Sequence, residues 1–279
     1  MKKTIILSLC CLFVLSSAAQ DKQLLVIHTN DTHSCIHPLS PNLKDKTLAG
    51  LGGYLRRINM IKAERQQNTD LLLFDSGDFS QGSAFYTLYK GDVEVELMNQ
   101  MGYDCATIGN HEFDFGLENM ARIFRKAKFP IVCSNYDFTG TPVEGTVKKH
   151  IILKRKGMKI GVFALDPEMK GLVDENKCKG VKYLDPIAVA KEEADYLKNK
   201  KKCDLVICIS HMGWEEMGID DKKIMAATKD IDLFLGGHSH TYMEQLQYSP
   251  NAEGKLVGND QNGKHGIWVG RLVLNMKKK

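Results

Sequence analysis

A chain of 279 residues, 43% of them hydrophobic, can bury a sizeable core as one large domain or two small ones. A formal net charge of +4 is too small a surplus to point to a nucleic-acid polymer or a membrane surface as the partner. No repeat or low-complexity stretch suggests a solenoid or a disordered linker.

The N-terminus stands apart. Lys2 and Lys3 precede an apolar stretch from Ile5 to Leu15, and Ser17-Ala18-Ala19 follow ahead of Gln20. This is the pattern of a secretory signal peptide over residues 1–19, so the protein is expected to be exported, periplasmic or extracellular. The stretch is shorter than the roughly 20 residues a spanning helix needs, and no later segment qualifies as transmembrane. Lipid anchoring through Cys10 or Cys11 is not expected, because the apolar run continues past both. Removing the leader takes away two lysines and lowers the formal charge from +4 to +2. Cys35, Cys105, Cys133, Cys178, Cys203 and Cys208 remain, with no Cys-x-x-Cys spacing. Several sit in apolar runs where a thiol behaves as a small buried hydrophobe, so no disulfide is assigned.

Along residues 20–279, expected to form one compact domain, strand-like runs alternate with helical patterns. Leu24 to Ile27 leads into Asn30-Asp31-Thr32-His33. Leu51, Tyr54, Leu55, Ile58 and Ile61 follow helical spacing. Leu71 to Phe74 leads into Asp75-Ser76-Gly77-Asp78, and Ala106 to Ile108 into Gly109-Asn110-His111-Glu112. Met120, Phe124 and Ala127 again read as a helix face. Between Val147 and Leu165 two β-rich stretches flank Arg155-Lys156-Gly157, a hairpin turn, so the sheets are expected to be mixed. Ile187, Ala190, Ala194 and Leu197 form a third helix face. Leu205 to Ile209 precedes His211, and Leu233 to Leu235 precedes Gly236-Gly237-His238-Ser239-His240. The terminal Lys277, Lys278 and Lys279 read as a solvated end. The fold class is α/β of mixed type.

Five apolar runs thus end in a residue able to hold a metal, and loops at strand carboxyl ends are where open α/β sheets place ligands. Each loop also has a bland reading. Asp31 and His33 suit one cation, or an Asx-type turn. Asp78, after a glycine that permits close backbone approach, has two oxygens for two ions about 3.5–4 Å apart, or a turn role. Asp75, inside the run, reads as a turn acceptor or a support for the ligands. Asn110 offers a neutral amide oxygen, His111 a proton near pH 7, and Asp114 a partner for that imidazole. Equally, Asn110 could cap a helix whose first turn holds the acidic residues. His211 alone would more often be structural, but His238 and His240, at i and i+2 after a glycine pair, suit adjacent ions. His28, His37, His150 and His265 lack such company and are assigned to the surface or core.

In order and spacing these segments resemble the calcineurin-like metallophosphoesterases. Within that superfamily the chain is similar to the catalytic domain of the 5'-nucleotidase family, because Gly91-Asp92-Val93-Glu94-Val95-Glu96-Leu97-Met98-Asn99 and Gly102-Tyr103-Asp104 also fit. The resemblance implies a four-layer αββα sandwich, two mixed β-sheets flanked by helices, with a dimetal site at the strand ends. It implies that Asp31, His33, Asp78 and His240 hold one metal and that Asp78, Asn110, His211 and His238 hold the other. His240 stands where relatives carry varying side chains, Gln among them. His111 would be the proton donor and phosphate contact, oriented by Asp114.

Two divalent cations lower the pKa of a bridging water and neutralise phosphoryl oxygens during in-line attack. The mixed N/O ligand set suits Zn, Mn, Co or Fe better than Mg or Ca. The expected activity is hydrolysis of phosphate monoesters, nucleoside 5'-monophosphates foremost, in nucleotide catabolism. Cleavage of 2',3'-cyclic nucleotides or nucleotide sugars is the alternative within the same chemistry. From another class, the chain would be a metal-bound subunit. Relatives continue past the strand corresponding to Ile267 to Leu274 into a second domain that stacks the base and supplies arginines, whereas this sequence stops at Lys279. Weak discrimination among bases, and a separate chain carrying that domain, are therefore expectations.

Overall fold

The computed structural model describes residues 22–276, so the leader and the terminal lysines lie outside the described residues. In chain order the strands are β1 (Lys22–Thr29), β2 (Leu72–Asp75), β3 (Cys105–Ala106), β4 (Ile131–Val132), β5 (Tyr136–Asp137), β6 (Val147–Lys148), β7 (His150–Arg155), β8 (Met158–Leu165), β9 (Lys182–Tyr183), β10 (Leu205–Ser210), β11 (Leu233–Leu235), β12 (Gln247–Pro250), β13 (Leu256–Asp260) and β14 (Gly270–Met276). The α-helices are α1 (Tyr54–Gln67), α2 (Ala84–Tyr89), α3 (Asp92–Met101), α4 (Gly116–Phe124), α5 (Pro186–Asp195) and α6 (Asp221–Ala227). One sheet runs β14-β1-β2-β3-β4-β6 and the other β12-β13-β11-β10-β8-β7. Both are mixed, parallel inside with antiparallel strands β14, β12 and β7 at edges.

Alternation along each strand builds the layers, since successive side chains point to opposite faces. Leu24, Val26, Leu72 and Phe74 meet Ile160, Val162, Ile207 and Ile209 between the sheets. Their neighbours Leu25, Ile27 and Leu73 pack under Ile58, Val95, Met98 and Met120 of helices α1, α3 and α4. On the far side, Phe163, Val206 and Cys208 pack with Val189, Ala190, Ile224 and Met225 of α5 and α6. Burying one such Leu or Ile contributes about 1.5–3 kcal/mol, so the strand ends are held rigidly. The helices start where their caps dictate. The Asp185 carboxylate accepts from Ile187 N and Ala188 N ahead of Pro186. Helix α3 begins after left-handed Gly91 with Asp92 and Glu94 in its first turn.

Several expectations on element boundaries need correction. Helix α1 starts only at Tyr54, because Gly53 at φ 93° breaks the chain's course. Leu51 therefore lies in a loop and Leu55, 71% exposed, faces outward. Ala127 lies beyond α4. The third run pairs as a strand over Cys105–Ala106, while Thr107 and Ile108 stay buried beyond it. The segment from Val147 to Leu165 is shared between sheets: β6 joins the first, and β7 and β8 form a hairpin in the second around Lys156 and Gly157, both at positive φ. All six cysteines of the described chain are free, and four are buried. Among the described residues no helix is long and apolar enough to cross a membrane.

Candidate dimetal site

Strands β1, β2 and β3 stand side by side in one sheet, β10 and β11 in the other, and all five end at the same edge of the sandwich. Backbone hydrogen bonds nest the loops together: Asp31 N donates to Gly77 O at 3.0 Å, His33 N to Asp78 O at 2.9 Å, and His211 N to Leu165 O at 2.8 Å. The packing leaves no room for a side chain at Gly109, where a Cβ would lie 2.1 Å from Asp78 Oδ1. At Gly77, φ 86°, a Cβ would meet Gly109 N at 2.8 Å and His211 Nδ1 at 2.9 Å. These glycines are what let three ligand loops interlock.

Every one of the seven predicted ligands is brought into this cluster. Donor atoms of Asp31, His33 and His240 lie within 4.8 Å of one another, as do those of Asp31, Asp78 and His211, and those of His33, Asp78 and His111. Asn110 Oδ1 is 3.0 Å from His238 Nδ1, and the His211 and His238 rings are 5.1 Å apart. Asp31, Asp78 and His211 are almost fully buried. Asp31, His33, Asp78, His238 and His240 all take positive φ, between 41° and 76°, a region that costs a residue with a Cβ about 1–2 kcal/mol.

The protonation pattern suits cations. His211 Nδ1 donates to Ser76 O at 2.6 Å, which leaves the lone pair of Nε2 facing Asp78 Oδ2 at 3.2 Å and Asp31 Oδ1 at 3.9 Å. Nε2 has no hydrogen-bond partner. Three acceptors pointed at one spot need a positive charge between them. Supplied by a proton, that charge puts the His211 pKa well above the ordinary value, with Asp78 and Asp31 outweighing burial. Burial and the neighbouring His211 push His238 down to about 4, which keeps the ring neutral and leaves one nitrogen's lone pair to bind. Buried Asp75, Asp166 and Asp221 surround the cluster, each raised to about 7 by desolvation. Such a surplus of carboxylate, with imidazole nitrogens among it, fits a pair of divalent ions of the Zn, Mn, Co or Fe type.

His111 and Asp114 sit at the rim, about one third exposed. His111 Nδ1 lies 3.2 Å from both Asp114 oxygens, and His111 N donates to Asp78 Oδ1 at 2.9 Å. Against the lowering by burial, the Asp114 hydrogen bond raises the His111 pKa. The helix-cap reading of Asn110 is not met: residues His111–Phe113 form a single 3₁₀ turn, and the Asn110 side chain makes no cap bond but turns to His238. Asp75 does serve as a turn acceptor, its Oδ1 taking Gly77 N at 3.1 Å while Oδ2 takes the Thr29 hydroxyl.

Two residues of the site were not singled out from the sequence. Glu112 accepts from Gly109 N at 2.6 Å, Asp78 N at 3.1 Å and Ser80 N at 3.0 Å, clamping the β2 and β3 loops together. Burial and Asp78 raise it to about 7. The signal for it was its place after Asn110-His111, read as a helix turn. Glu112→Gln turns one acceptor into a donor aimed at N–H groups, a cost of about 1–3 kcal/mol. The expected result is a melting temperature several degrees lower together with weaker cation binding in a metal titration; parental values for both would show that the clamp is dispensable. The second is His265, assigned to surface or core, whose ring stands 5.9 Å from that of His33. His28 and His150 bond to Asp260 at 2.8 Å and Glu193 at 2.7 Å, and the His37 ring lies tilted 5.3 Å from that of Phe85.

Two facing mixed sheets with an interlocked carboxylate and imidazole cluster at their strand ends define a metallophosphoesterase scaffold. The chain belongs to the calcineurin-like phosphoesterase family, whose sequence profile matches residues 24–242. It is similar to the 5'-nucleotidase of Rattus norvegicus, 30% identical over 91% of this chain and 44% of that protein. Among solved structures it is similar to a 5'-nucleotidase precursor from Thermus thermophilus, with a TM-score of 0.82 and 26% identity over 91% of this chain and 51% of that one. It also resembles the NAD nucleotidase of Haemophilus influenzae, with a TM-score of 0.81 and 25% identity over 91% and 53%. The chain thus spans about half the length of these relatives or less.

Proposed function

We propose that this chain is an exported hydrolase of phosphate monoesters, nucleoside 5'-monophosphates foremost. The observation that supports it most is the juxtaposition of Asp78, faced by His211 at 3.2 Å on one oxygen, with the His111–Asp114 pair held against the other. In this reading Asp31, His33, Asp78 and His240 hold one cation, and Asp78, Asn110, His211 and His238 hold the second. When bound, such a pair neutralises phosphoryl oxygens and acidifies a water. Asp78 carries the shared negative charge, buried where it cannot be screened. Asp114 fixes His111 through Nδ1, so Nε2 is the atom that delivers a proton to the departing alkoxide.

A phosphodiester or pyrophosphate is the second reading, favoured by the likeness to a protein named an NAD nucleotidase. The test is a panel with added Mn or Zn: AMP, GMP, CMP, UMP, an aryl phosphate, a 2',3'-cyclic nucleotide and a UDP-sugar. Monoesters are expected to be cleaved fastest, with weak preference among the bases. Faster turnover of the cyclic nucleotide or UDP-sugar would move the assignment to the second reading. A hundredfold preference for one base, about 2.7 kcal/mol, would show that this chain itself holds a base pocket.

A further inference from the structure

The ring of His33 is met by three other imidazoles, His240 at 5.0 Å, His111 at 5.5 Å and His265 at 5.9 Å between centroids. His240 and His111 have roles in the site, and His265 has none. It also differs from the structural histidines of the same chain. His28 and His150 each bond a carboxylate, whereas no described group bonds the ring nitrogens of His265, and neither nitrogen is sealed from solvent.

Its backbone is nevertheless pinned to the site. His265 N donates to Asp31 O at 2.7 Å and Gly263 N to Thr241 O at 2.9 Å. Gly263 O accepts from Asn30 Nδ2 at 2.8 Å, and Asn262 N donates to Asn30 Oδ1 at 2.9 Å. Residues 262–265 are thereby tied to the loops that carry Asp31 and His240. His265 holds φ 63°, where glycine would be unstrained. A side chain kept in such a conformation, on a fixed backbone and with free nitrogens, is preorganised to meet something that arrives. That something is not a cation in the cluster: His33, His211, His238 and His240 each bring a ring nitrogen within 3.8 Å of a carboxylate or amide oxygen of Asp31, Asp78 or Asn110, and among the described contacts His265 has no such approach. An oxyanion held by cations in the cluster would be within the chemistry His265 can serve, and the exposed neighbouring Lys264 adds positive charge to the segment.

We propose that His265 is a substrate-contacting residue, its ring N–H donating to a phosphoryl oxygen of the ester and of the inorganic phosphate product. The inference rests on the phosphoester reading of the site. It gives the chain a phosphate contact of its own, on a segment close to His33 and His240.

The decisive variant is His265→Gly, since glycine accepts φ 63° and keeps the N–H to Asp31 O. The readouts are cation content, melting temperature, kinetics on AMP, and calorimetric titration of inorganic phosphate into the Mn-loaded protein. Expected are two cations per chain, a melting temperature at or above the parent's, and phosphate binding and KM each weakened about tenfold. The change in kcat is expected to stay within about threefold. His265→Gln, which restores an N–H at similar reach, is expected to recover most of the binding. Phosphate binding within twofold of the parent's, or binding undetectable in the parent itself, overturns the proposal. A loss of cations overturns it in favour of a ligand role. A parent that binds phosphate yet cleaves none of the panel removes the hydrolase reading alone, while the binding comparison still decides on His265.

Discussion

Asp78→Asn protein is expected to fold, to lose at least one of its two cations, and to hydrolyse phosphate esters slower than the parent by about a thousandfold or more. Asp78 is 2% exposed, and burial alone would raise its pKa. The facing His211 and His33 hold it well below the usual carboxylate range instead. It is therefore the anion around which the cluster's positive charge is arranged. An amide of the same shape keeps one acceptor oxygen but no charge, and its NH₂ either points at His111 N or at His211. The fold should survive because the backbone bonds of Asp78, from His33 N and to Glu112, do not involve its carboxylate. Elemental analysis, circular dichroism and turnover together check this, and a variant as fast as the parent would remove the two-cation reading.

His111→Asn should retain both cations and lose rate selectively. His111 touches Asp78 through its backbone N–H, which any residue supplies, so the cluster does not depend on the imidazole. Proton delivery does. General acid catalysis is worth about 10²–10⁴-fold when the leaving group is basic and much less when it is not. The loss on AMP, an alkyl ester, should therefore exceed that on an aryl phosphate by one or more orders of magnitude. Equal losses on the two would assign His111 to phosphate binding or to support of the cations.

What the sequence made legible is the framework. Buried runs ending in turn residues placed β1, β2, β10 and β11 within a residue or two at their carboxyl ends, because full burial demands uninterrupted apolar residues and the ligand loops must interrupt them. The two-residue β3 was less clear: its edge is set by hydrogen bonding with β2 and β4, which no local pattern encodes. Spacing also brought Asp31, His33, Asp78, Asn110, His211, His238 and His240 into consideration, since each follows a strand. Their contacts came from the meeting of two sheets. His265 was missed because its segment follows β13 and precedes β14 without an apolar run of its own. Bonds between residues far apart in sequence, His265 N to Asp31 O and those of Asn262 and Gly263 to Asn30 and Thr241, carry it to the site. Glu112 was missed for a different reason: three acidic or amide residues around a histidine look like a helix start, and the carboxylate's partners lie in another loop.

The left-handed backbone shared by Asp31, His33, Asp78, His238 and His240 sets stability and activity against each other at the centre of the molecule. At each position glycine would relax the chain, so selection for heat resistance alone pulls toward glycine while selection for turnover holds the ligand in place. The protein's margin of stability must then be supplied by the apolar layers around the sheets. Substitutions that thin those layers would be felt first as a loosening of the site, before the fold as a whole gives way.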